Sequence, residues 1–564
     1  MNQSLRTLKN SLCLGVLLLA ACGGNGDSTS SSSTSAAAQI VSGSSTTVSD
    51  TASNGNLLSS PNCTLQYRAS NVASAQGDDP LLAQQWHLKN TGQGNGLVGE
   101  DLNVSAAWVS SRGAGVRVAV VDNSLETVHS DLVDNVVPKE SHSYRNEQNG
   151  YSDPLPCYAS ETHGTSVAGL IAARAGNGVG GVGVAPMAKL VGYNALATNT
   201  DADLADALVR DLNKNSVYSS SWGSSDDGLL HPVSSLHELA LNTGLRTGRG
   251  GLGALYVFAA GNGGCFRTSS DGTVCESDNT NFDGYLTQMG AIVVGAVDRS
   301  GRGPRYAEPG ANLLISAPGG DSSLGMTTTA IRNGYTQSFV GSSAATPMVS
   351  GVIALMLSAN PALSWRDVRL ILASTARRNN PTHASWRNNL KAQAGQPAWF
   401  SHRYGYGVVD AGAAVAAVKT WQTVGTSEQL LSCGPFEIDA NLSIPDAGGT
   451  ASAVSSSLVL SAEQCGLRHL EYVRVQASIN HEYSGDLGIT LRSPADTDSE
   501  LANPRHCASS NRDADRCGRF DGWNFASVRH LGESVAGEWR LRVTDVEAGK
   551  TGQLVRWSIR FYGR

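Results

Sequence analysis

The chain changes its hydrophobic rhythm twice. Beyond a short apolar run near the start and up to about residue 60, large apolar side chains are nearly missing, and Ser, Thr, Gly and Ala dominate. From about 78 to 425, short β-branched runs such as Val116-Arg117-Val118-Ala119-Val120-Val121 and Ala254-Leu255-Tyr256-Val257-Phe258 read as strands buried on both faces. Between them, helical periodicity marks residues 203–213, 235–245, 344–357 and 364–376. Strands alternating with helices predict an α/β unit: a mostly parallel sheet with helices on both faces. From about 427, period-two alternation takes over without a convincing helix, at 471–478, 487–491, 539–543 and 556–561. That pattern predicts an antiparallel β-sandwich.

Composition narrows the class. At 564 residues, 40% hydrophobic and 16% charged with 63 Gly, the chain reads as a turn-rich globular protein of several domains. Its formal charge of −7 argues against nucleic acid as partner, because backbone-binding proteins carry a basic surface. Residues 1–22 read as an export signal, with Arg6 and Lys9 ahead of a ten-residue run, Leu12 to Ala21, too short to span a bilayer. No later stretch is expected to span one. Leu19-Ala20-Ala21-Cys22 resembles a bacterial lipobox, which implies acylation of Cys22 and anchorage of a lipoprotein to a membrane. Gly23 beside it points to the outer membrane or cell surface, with later release to the extracellular space left open. Residues 23–75, low in complexity as far as about 60, read as a Ser/Thr/Gly-rich tether that buries too little to fold.

Ten cysteines are present, of which Cys13 leaves with the signal and Cys22 is the anchor. The remaining eight, an even number in an exported chain, imply disulfides. Cys265–Cys275 and Cys507–Cys517 each close a short loop, Cys433–Cys465 staples the C-terminal region, and Cys63–Cys157 follows by elimination. No Cys/His spacing resembles a zinc site.

Three segments carry chemistry. Val118-Ala119-Val120-Val121-Asp122 is a buried strand ending in a carboxylate; His163-Gly164-Thr165-Ser166 opens a helix of small residues; Gly341-Ser342-Ser343-Ala344 puts a serine at a helix N-terminus. A serine hydroxyl needs an imidazole to take its proton, and the imidazole needs a carboxylate to fix its tautomer. The order Asp, His, Ser is that of one known triad arrangement. Ala259-Ala260-Gly261-Asn262 adds an amide on a turn after a strand, placed to donate to a developing oxyanion together with the Ser343 N–H. Ser221, Trp222 and Gly223 read as an edge that pairs with an extended peptide. The competing reading is a fold that has lost activity and serves as a surface adhesion or binding protein.

Val217-Tyr218-Ser219-Ser220-Ser221-Trp222-Gly223 followed by Asp226-Asp227-Gly228 resembles the kexin and furin branch of the subtilisin-like serine proteases, peptidase family S8. So do Gly248-Arg249-Gly250-Gly251-Leu252-Gly253-Ala254-Leu255-Tyr256-Val257 and Ser401-His402-Arg403-Tyr404-Gly405-Tyr406-Gly407. Tyr483-Ser484-Gly485-Asp486-Leu487, Gly522-Trp523-Asn524-Phe525, Gly537-Glu538-Trp539 and Trp557-Ser558-Ile559 resemble the P (Homo B) domain of the same proteases. The resemblance implies a peptidase domain over 76–425, a P domain over 426–564, and a serine endopeptidase acting on polypeptides, either generally or dedicated to one partner. It assigns Asp226 and Asp283 to a pocket for Arg or Lys before the scissile bond. It also implies two structural Ca2+ sites. One uses Asp79, Asp131, Asn177 and the carbonyls of Arg174, Val179 and Gly181; the other uses Asp226, Asp278 and Glu308. Three positions depart from the branch: Asn123, Ser160 and Pro232 stand where it carries acids, and Glu161 is the nearest acid placed to compensate. A weaker demand for a dibasic pair is therefore expected. The branch's folded N-terminal prodomain has no counterpart in the low-complexity stretch, which opens a place for a separate folding chaperone.

Overall fold

The computed structural model describes residues 62–67, 76–145, 152–265, 267–268, 275–388, 397, 399–448, 450–505, 507 and 517–564. The export signal, Cys22 and the tether up to residue 61 lie outside the described residues. Residues 62–67, counted with the tether from sequence, are docked: Cys63 is bonded to Cys157, and Leu65 and Tyr67 are buried with Leu155.

The β-branched runs form six strands, β1 (Arg117–Val121), β2 (Lys189–Tyr193), β3 (Val217–Ser220), β4 (Leu255–Ala259), β5 (Ala291–Val297) and β6 (Leu313–Pro318). They make one parallel sheet in the order β2-β1-β3-β4-β5-β6. Except for Lys189 at the start of β2, every residue of these strands is buried, which is why the sequence shows continuous apolar runs instead of alternation. Strand order reverses at β1, whose two neighbours are the next two strands in the chain. In open parallel sheets the crevice beyond the carboxyl ends at such a reversal is where ligands bind.

The helices are α1 (His163–Ala172), α2 (Asp201–Val209), α3 (Ser235–Thr247), α4 (Ser342–Ala359), α5 (Trp365–Thr375) and α6 (Ala411–Ala417). Helix α2 starts and stops earlier than its periodicity suggests. Thr200 caps it by accepting from the Asp203 N–H, while Arg210 turns extended and Asp211 takes a left-handed φ of 56°. Helix α4 corrects the expectation about membrane spans: by length and composition it is apolar enough to cross a bilayer, but it is mostly buried inside the protein.

After the parallel sheet, β7 (Met326–Ala330) and β8 (Gly334–Phe339) pair as an antiparallel hairpin, and the C-terminal part forms two antiparallel sheets. Strands β9 (Leu431–Ile438), β10 (Leu442–Ile444), β11 (Ser452–Leu460), β12 (Leu470–His481), β13 (Leu487–Arg492), β14 (Asp498–Ala502), β15 (Phe520–Ser527), β16 (Gly537–Asp545) and β17 (Gly552–Gly563) contribute. One sheet runs β9-β17-β12-β15 with β10 also on β17, the other β11-β16-β13-β14. Their alternating inner residues, with Trp539, Trp557, Phe525 and Phe561 the largest, make the second core. Disulfides Cys433–Cys465 and Cys507–Cys517 are formed, and Cys265 is disulfide-bonded, whereas its expected partner Cys275 falls outside the described side chains.

The two cores exchange residues. Phe282 and Ala311 pack into the C-terminal core, and Tyr472, Ala526, Val528 and Leu531 pack into the α/β core. Between them, the fully buried Arg366 grips Glu471 through Nε and Nη2 at 2.9 and 2.6 Å, and Arg564 reaches the same carboxylate at 3.1 Å.

Candidate active site

Each chemical group sits just past the carboxyl end of a strand or at the first turn of a helix. Asp122 follows β1, is buried, and both its carboxylate oxygens lie 2.9 Å from His163 Nδ1. The contact needs α1 to start almost against β1, and Gly164 allows it. A Cβ there would fall 2.0 Å from the Ser124 carbonyl oxygen and 2.9 Å from Asp122 Cβ. Burial pulls the His163 pKa down, but the charge and hydrogen bond of Asp122 outweigh it and leave the imidazole above its ordinary value. With Nδ1–H held by Asp122, the Nε2 face is left to accept a proton. The ring stands edge-on to Phe339 at 5.3 Å.

Ser343 lies in the first turn of α4. Pro347, four residues on, has no N–H to give the Ser343 carbonyl. Ser221 fills the gap: its Oγ donates to Ser343 O at 3.1 Å, while Ser343 Oγ donates to Ser221 O at 3.1 Å. This reciprocal pair fastens α4 to the chain leaving β3. Among the described residues, the hydroxyl of Ser343 is bonded to that carbonyl and not to His163. The Asp–His contact is therefore formed and the Ser–His contact is not, a common state of such sites without substrate.

Asn262 follows β4. Its Oδ1 accepts from the N–H of Ser342 at 2.9 Å and from the Ser342 hydroxyl at 3.2 Å. A backbone N–H can only donate, so the amide orientation is fixed and the Nδ2 donors face away from Ser342. The Ser343 N–H, at a helix N-terminus, has no partner among the described residues.

Ser221, Trp222, Gly223, Asp226, Asp278, Phe282, Asp283 and Glu308 line one cleft with Asn262 and Ser343. Trp222 is fixed by its indole N–H on the Val121 carbonyl at 2.9 Å and by edge contacts with Phe258 and Tyr285. Asp283 faces the Gly223 Cα, where a Cβ would come within 2.7 Å of Oδ2. Burial raises its pKa, and the N–H groups of Ser224 and Tyr285, each 2.8 Å away, pull it partly back. A carboxylate so placed favours a cationic partner.

The residues expected at the first calcium site lie near one another. Asp131 accepts from Asn177 Nδ2 at 2.9 Å and from the Gly181 N–H at 3.1 Å; Asp79 accepts from the Gly176 N–H at 2.9 Å. The carbonyls of Arg174, Val179 and Gly181 accept no hydrogen bond among the described residues. Burial first, and the charge of Asp79 after it, push Asp131 up to about 7. Two crowded carboxylates, an amide and three free carbonyls are a hard oxygen set, and they fit Ca2+. The second cluster fits less well. Asp226, Asp278 and Glu308 share one wall, but Asp278 is spent on the N–H groups of Gly228 and Asn279, and Glu308 accepts from Gly263 N–H at 2.7 Å. Burial holds Glu308 well above the usual carboxylate range, and the charges of Asp278 and Asp226 push the same way. Among the described residues no three His, Cys, Asp or Glu side chains form a metal-holding group.

Glu161, beside Ser160, is already engaged within the fold. Its carboxylate pairs with Arg145 and accepts from the Cys157 N–H at 2.7 Å and the Tyr158 N–H at 3.3 Å. Asn123 offers an amide whose Oδ1 accepts from the Gly164 N–H at 3.3 Å. Sequence reasoning missed Arg145 and the Ser221–Ser343 exchange. Only the second left a local signal, the proline four residues after the serine.

Residues 113–407 match the Subtilase family and residues 470–561 the Proprotein convertase P-domain. The chain is 35% identical over 506 residues to "Proprotein convertase subtilisin/kexin type 7" of Homo sapiens, covering 87% of this chain and 60% of that protein. It is 35% identical over 495 residues to "Dibasic-processing endoprotease" of Schizosaccharomyces pombe, covering 86% of this chain and 65% of the relative. The chain thus spans less than two thirds of the length of these relatives. Among solved structures, the serine protease of Aeromonas sobria in complex with its chaperone is similar with a TM-score of 0.73 and 27% identity, over 88% of this chain and 98% of that one.

Proposed function

This chain belongs to the subtilase family, and on that premise we propose that it is a serine endopeptidase cutting after Arg or Lys. The observation that carries the reading is the buried Asp122 carboxylate gripping His163 Nδ1, together with a cleft lined by Ser343, Asn262 and Asp283. In the proposed reaction Ser343 Oγ leaves the Ser221 carbonyl, passes its proton to His163 Nε2 and attacks the peptide carbonyl carbon. Asp122 stabilises the imidazolium that forms. Asn262 Nδ2 and the Ser343 N–H receive the developing oxyanion. His163 then returns the proton to the leaving amine, and water, deprotonated by the same imidazole, resolves the acyl-enzyme.

A substrate Arg or Lys enters between the 221–223 edge and Asp283, with Asp226 on the same wall. The basic preference is strong at that residue and weak at the one before it. The positions that would pair with a second cation hold Asn123, Ser160 and a Glu161 already bound to Arg145. Ca2+, held by Asp79, Asp131, Asn177 and the three free carbonyls, would supply structural charge balance; a second ion at Asp226, Asp278 and Glu308 is the lesser part of the proposal. We place the peptidase domain at 76–425, between the signal-plus-tether and the P domain at 426–564. Export and lipidation at Cys22 complete the reading, with a folding chaperone as partner by analogy with the Aeromonas neighbour. Profiling cleavage on a random peptide library decides the matter: cuts after Arg and Lys, absent in Ser343→Ala, are expected. Loss-free activity in that variant, or no basic preference, overturns it.

A further inference from the structure

The turns that carry the cleft's acids are fastened from behind by the second domain. Between β14 and the disulfide Cys507–Cys517, the chain crosses to the two turns that carry the cleft's acids. Asn503 Nδ2 donates to the Ser277 carbonyl at 2.8 Å and its Oδ1 accepts from Asn279 Nδ2 at 2.7 Å. Arg505, 3% exposed, donates from Nε to the Gly228 carbonyl, and its guanidinium lies 3.6 Å from the centre of the Phe282 ring. The Gly228 N–H in turn donates to Asp278. The turn at 226–229 is thus clamped from one side by Asp278 and from the other by Arg505. Nη2 reaches the Cys517 carbonyl at 3.4 Å, and Nη1 is buried without a partner among the described residues. Burial lowers the Arg505 pKa to about 9, and the charges of Asp278 and Asp227 oppose that fall.

A buried guanidinium with a donor to spare is costly unless the charge around it is negative. Here it lies against Phe282 and beside Asp278, both of which line the cleft with Ser343. We infer that Arg505 is a positioning residue for specificity, supplied across the domain interface, which holds the 226–229 and 278–283 turns in register and balances the charge of their acids. This rests on the reading of Asp226 and Asp283 as the pocket for a basic residue. Without Arg505 the two turns lose their common fastening. The cleft then keeps its hydrolytic groups but discriminates less between a cationic and an apolar side chain.

The test uses the full exported chain and two peptides differing only in Arg or Leu before the cut. Arg505→Met is expected to lower the Arg-to-Leu ratio of kcat/KM about tenfold, mostly through KM for the Arg peptide. Its rate of labelling by a fluorophosphonate, which reads Ser343 and His163 alone, stays within about twofold of the parent. Arg505→Lys, which keeps the charge and loses the planar fork, falls between them. Asn503→Ala loosens the same segment without a charge change and lowers the ratio about threefold, so the inference stays testable if Arg505→Met fails to fold. Arg366→Met, at the distant interface ion pair, is the control: it lowers Tm and leaves the ratio unchanged. A parent enzyme without preference for Arg overturns the pocket reading and this inference with it. A selective parent whose ratio survives both Arg505→Lys and Asn503→Ala overturns this inference alone, as does an equal fall in the Arg366→Met control.

Discussion

Asp122 gives His163 both a fixed orientation and a counter-charge, and the two have separable consequences. On the proposed mechanism the working base is the neutral imidazole, so activity should be lost as pH falls through the His163 pKa. Because Asp122 more than offsets burial, that pKa lies above its ordinary value, and the acid limb of kcat/KM should fall at higher pH than a free imidazole would give. In Asp122→Asn only burial remains, so the limb should move to lower pH while kcat drops about 10^4-fold. A pH–rate profile of both proteins checks this, and an unshifted limb would deny the pairing a catalytic role. Linkage has the matching sign: the raised pKa stabilises the fold at low pH, and that contribution fades as pH rises through the folded-state value. The proposed roles of Asp122, His163, Asn262 and Ser343 were suggested by sequence because each is announced by its neighbours: a β-branched strand before an acid, a glycine after a histidine, a strand and a glycine before an amide, a glycine before paired serines. Arg145 was not readable, because its partner Glu161 is met only through the fold. The same is true of Arg505, whose contacts with Gly228 and Phe282 lie more than two hundred residues away.

At the level of elements, the site depends on how closely α1 approaches the end of β1 and on how the loop after α1 is closed. Gly164→Ala would force a Cβ into the Ser124 carbonyl oxygen 2.0 Å away, so α1 must retreat. A destabilisation of about 2 kcal/mol is expected from overpacking. The displacement of His163 should cost about 100-fold in kcat. Urea titration and steady-state kinetics on one preparation separate the two, and full activity with lowered stability would mean the helix start adapts without moving the imidazole. The loop 174–183 makes the complementary case. If Ca2+ sits among Asp79, Asp131 and the free carbonyls, then Ca2+ at about 100 times its Kd should add about 2.7 kcal/mol of stability, and a chelator should remove it. Asp131→Asn should abolish that response, read as a Tm that no longer depends on Ca2+. Strand and helix identities were legible because period-two and period-3.6 patterns report burial directly. Element ends were less so: α2 stops at Val209 through the left-handed Asp211, a backbone choice that periodicity does not encode.

Across the whole molecule, the α/β part and the β-sandwich share a boundary that behaves like interior. Arg366 is fully buried on α5, and its fork closes on Glu471 at the start of β12, with its remaining N–H donors on the carbonyls of Val424 and Thr426. Two charges taken out of water in this way specify how the domains meet more than they stabilise the meeting, since desolvation offsets much of their attraction. Removing one partner is another matter, because the other is left buried. Arg366→Met should therefore cost about 3 kcal/mol, moderated by Arg564, which also reaches Glu471. Arg366→Met combined with Glu471→Leu should recover most of that loss, since the pair is replaced by apolar surface of similar volume. Calorimetry is the measurement that discriminates. If the interface couples the domains, the parent unfolds in one transition and Arg366→Met in two, with the double variant returning to one. If all three unfold alike, cooperativity is carried instead by the exchanged apolar residues, Phe282 and Ala311 on one side and Tyr472, Val528 and Leu531 on the other. The distinction bears on activity, because Phe282 is both a member of the sandwich core and a wall of the cleft, so the domain that holds no catalytic group still sets the shape of the site.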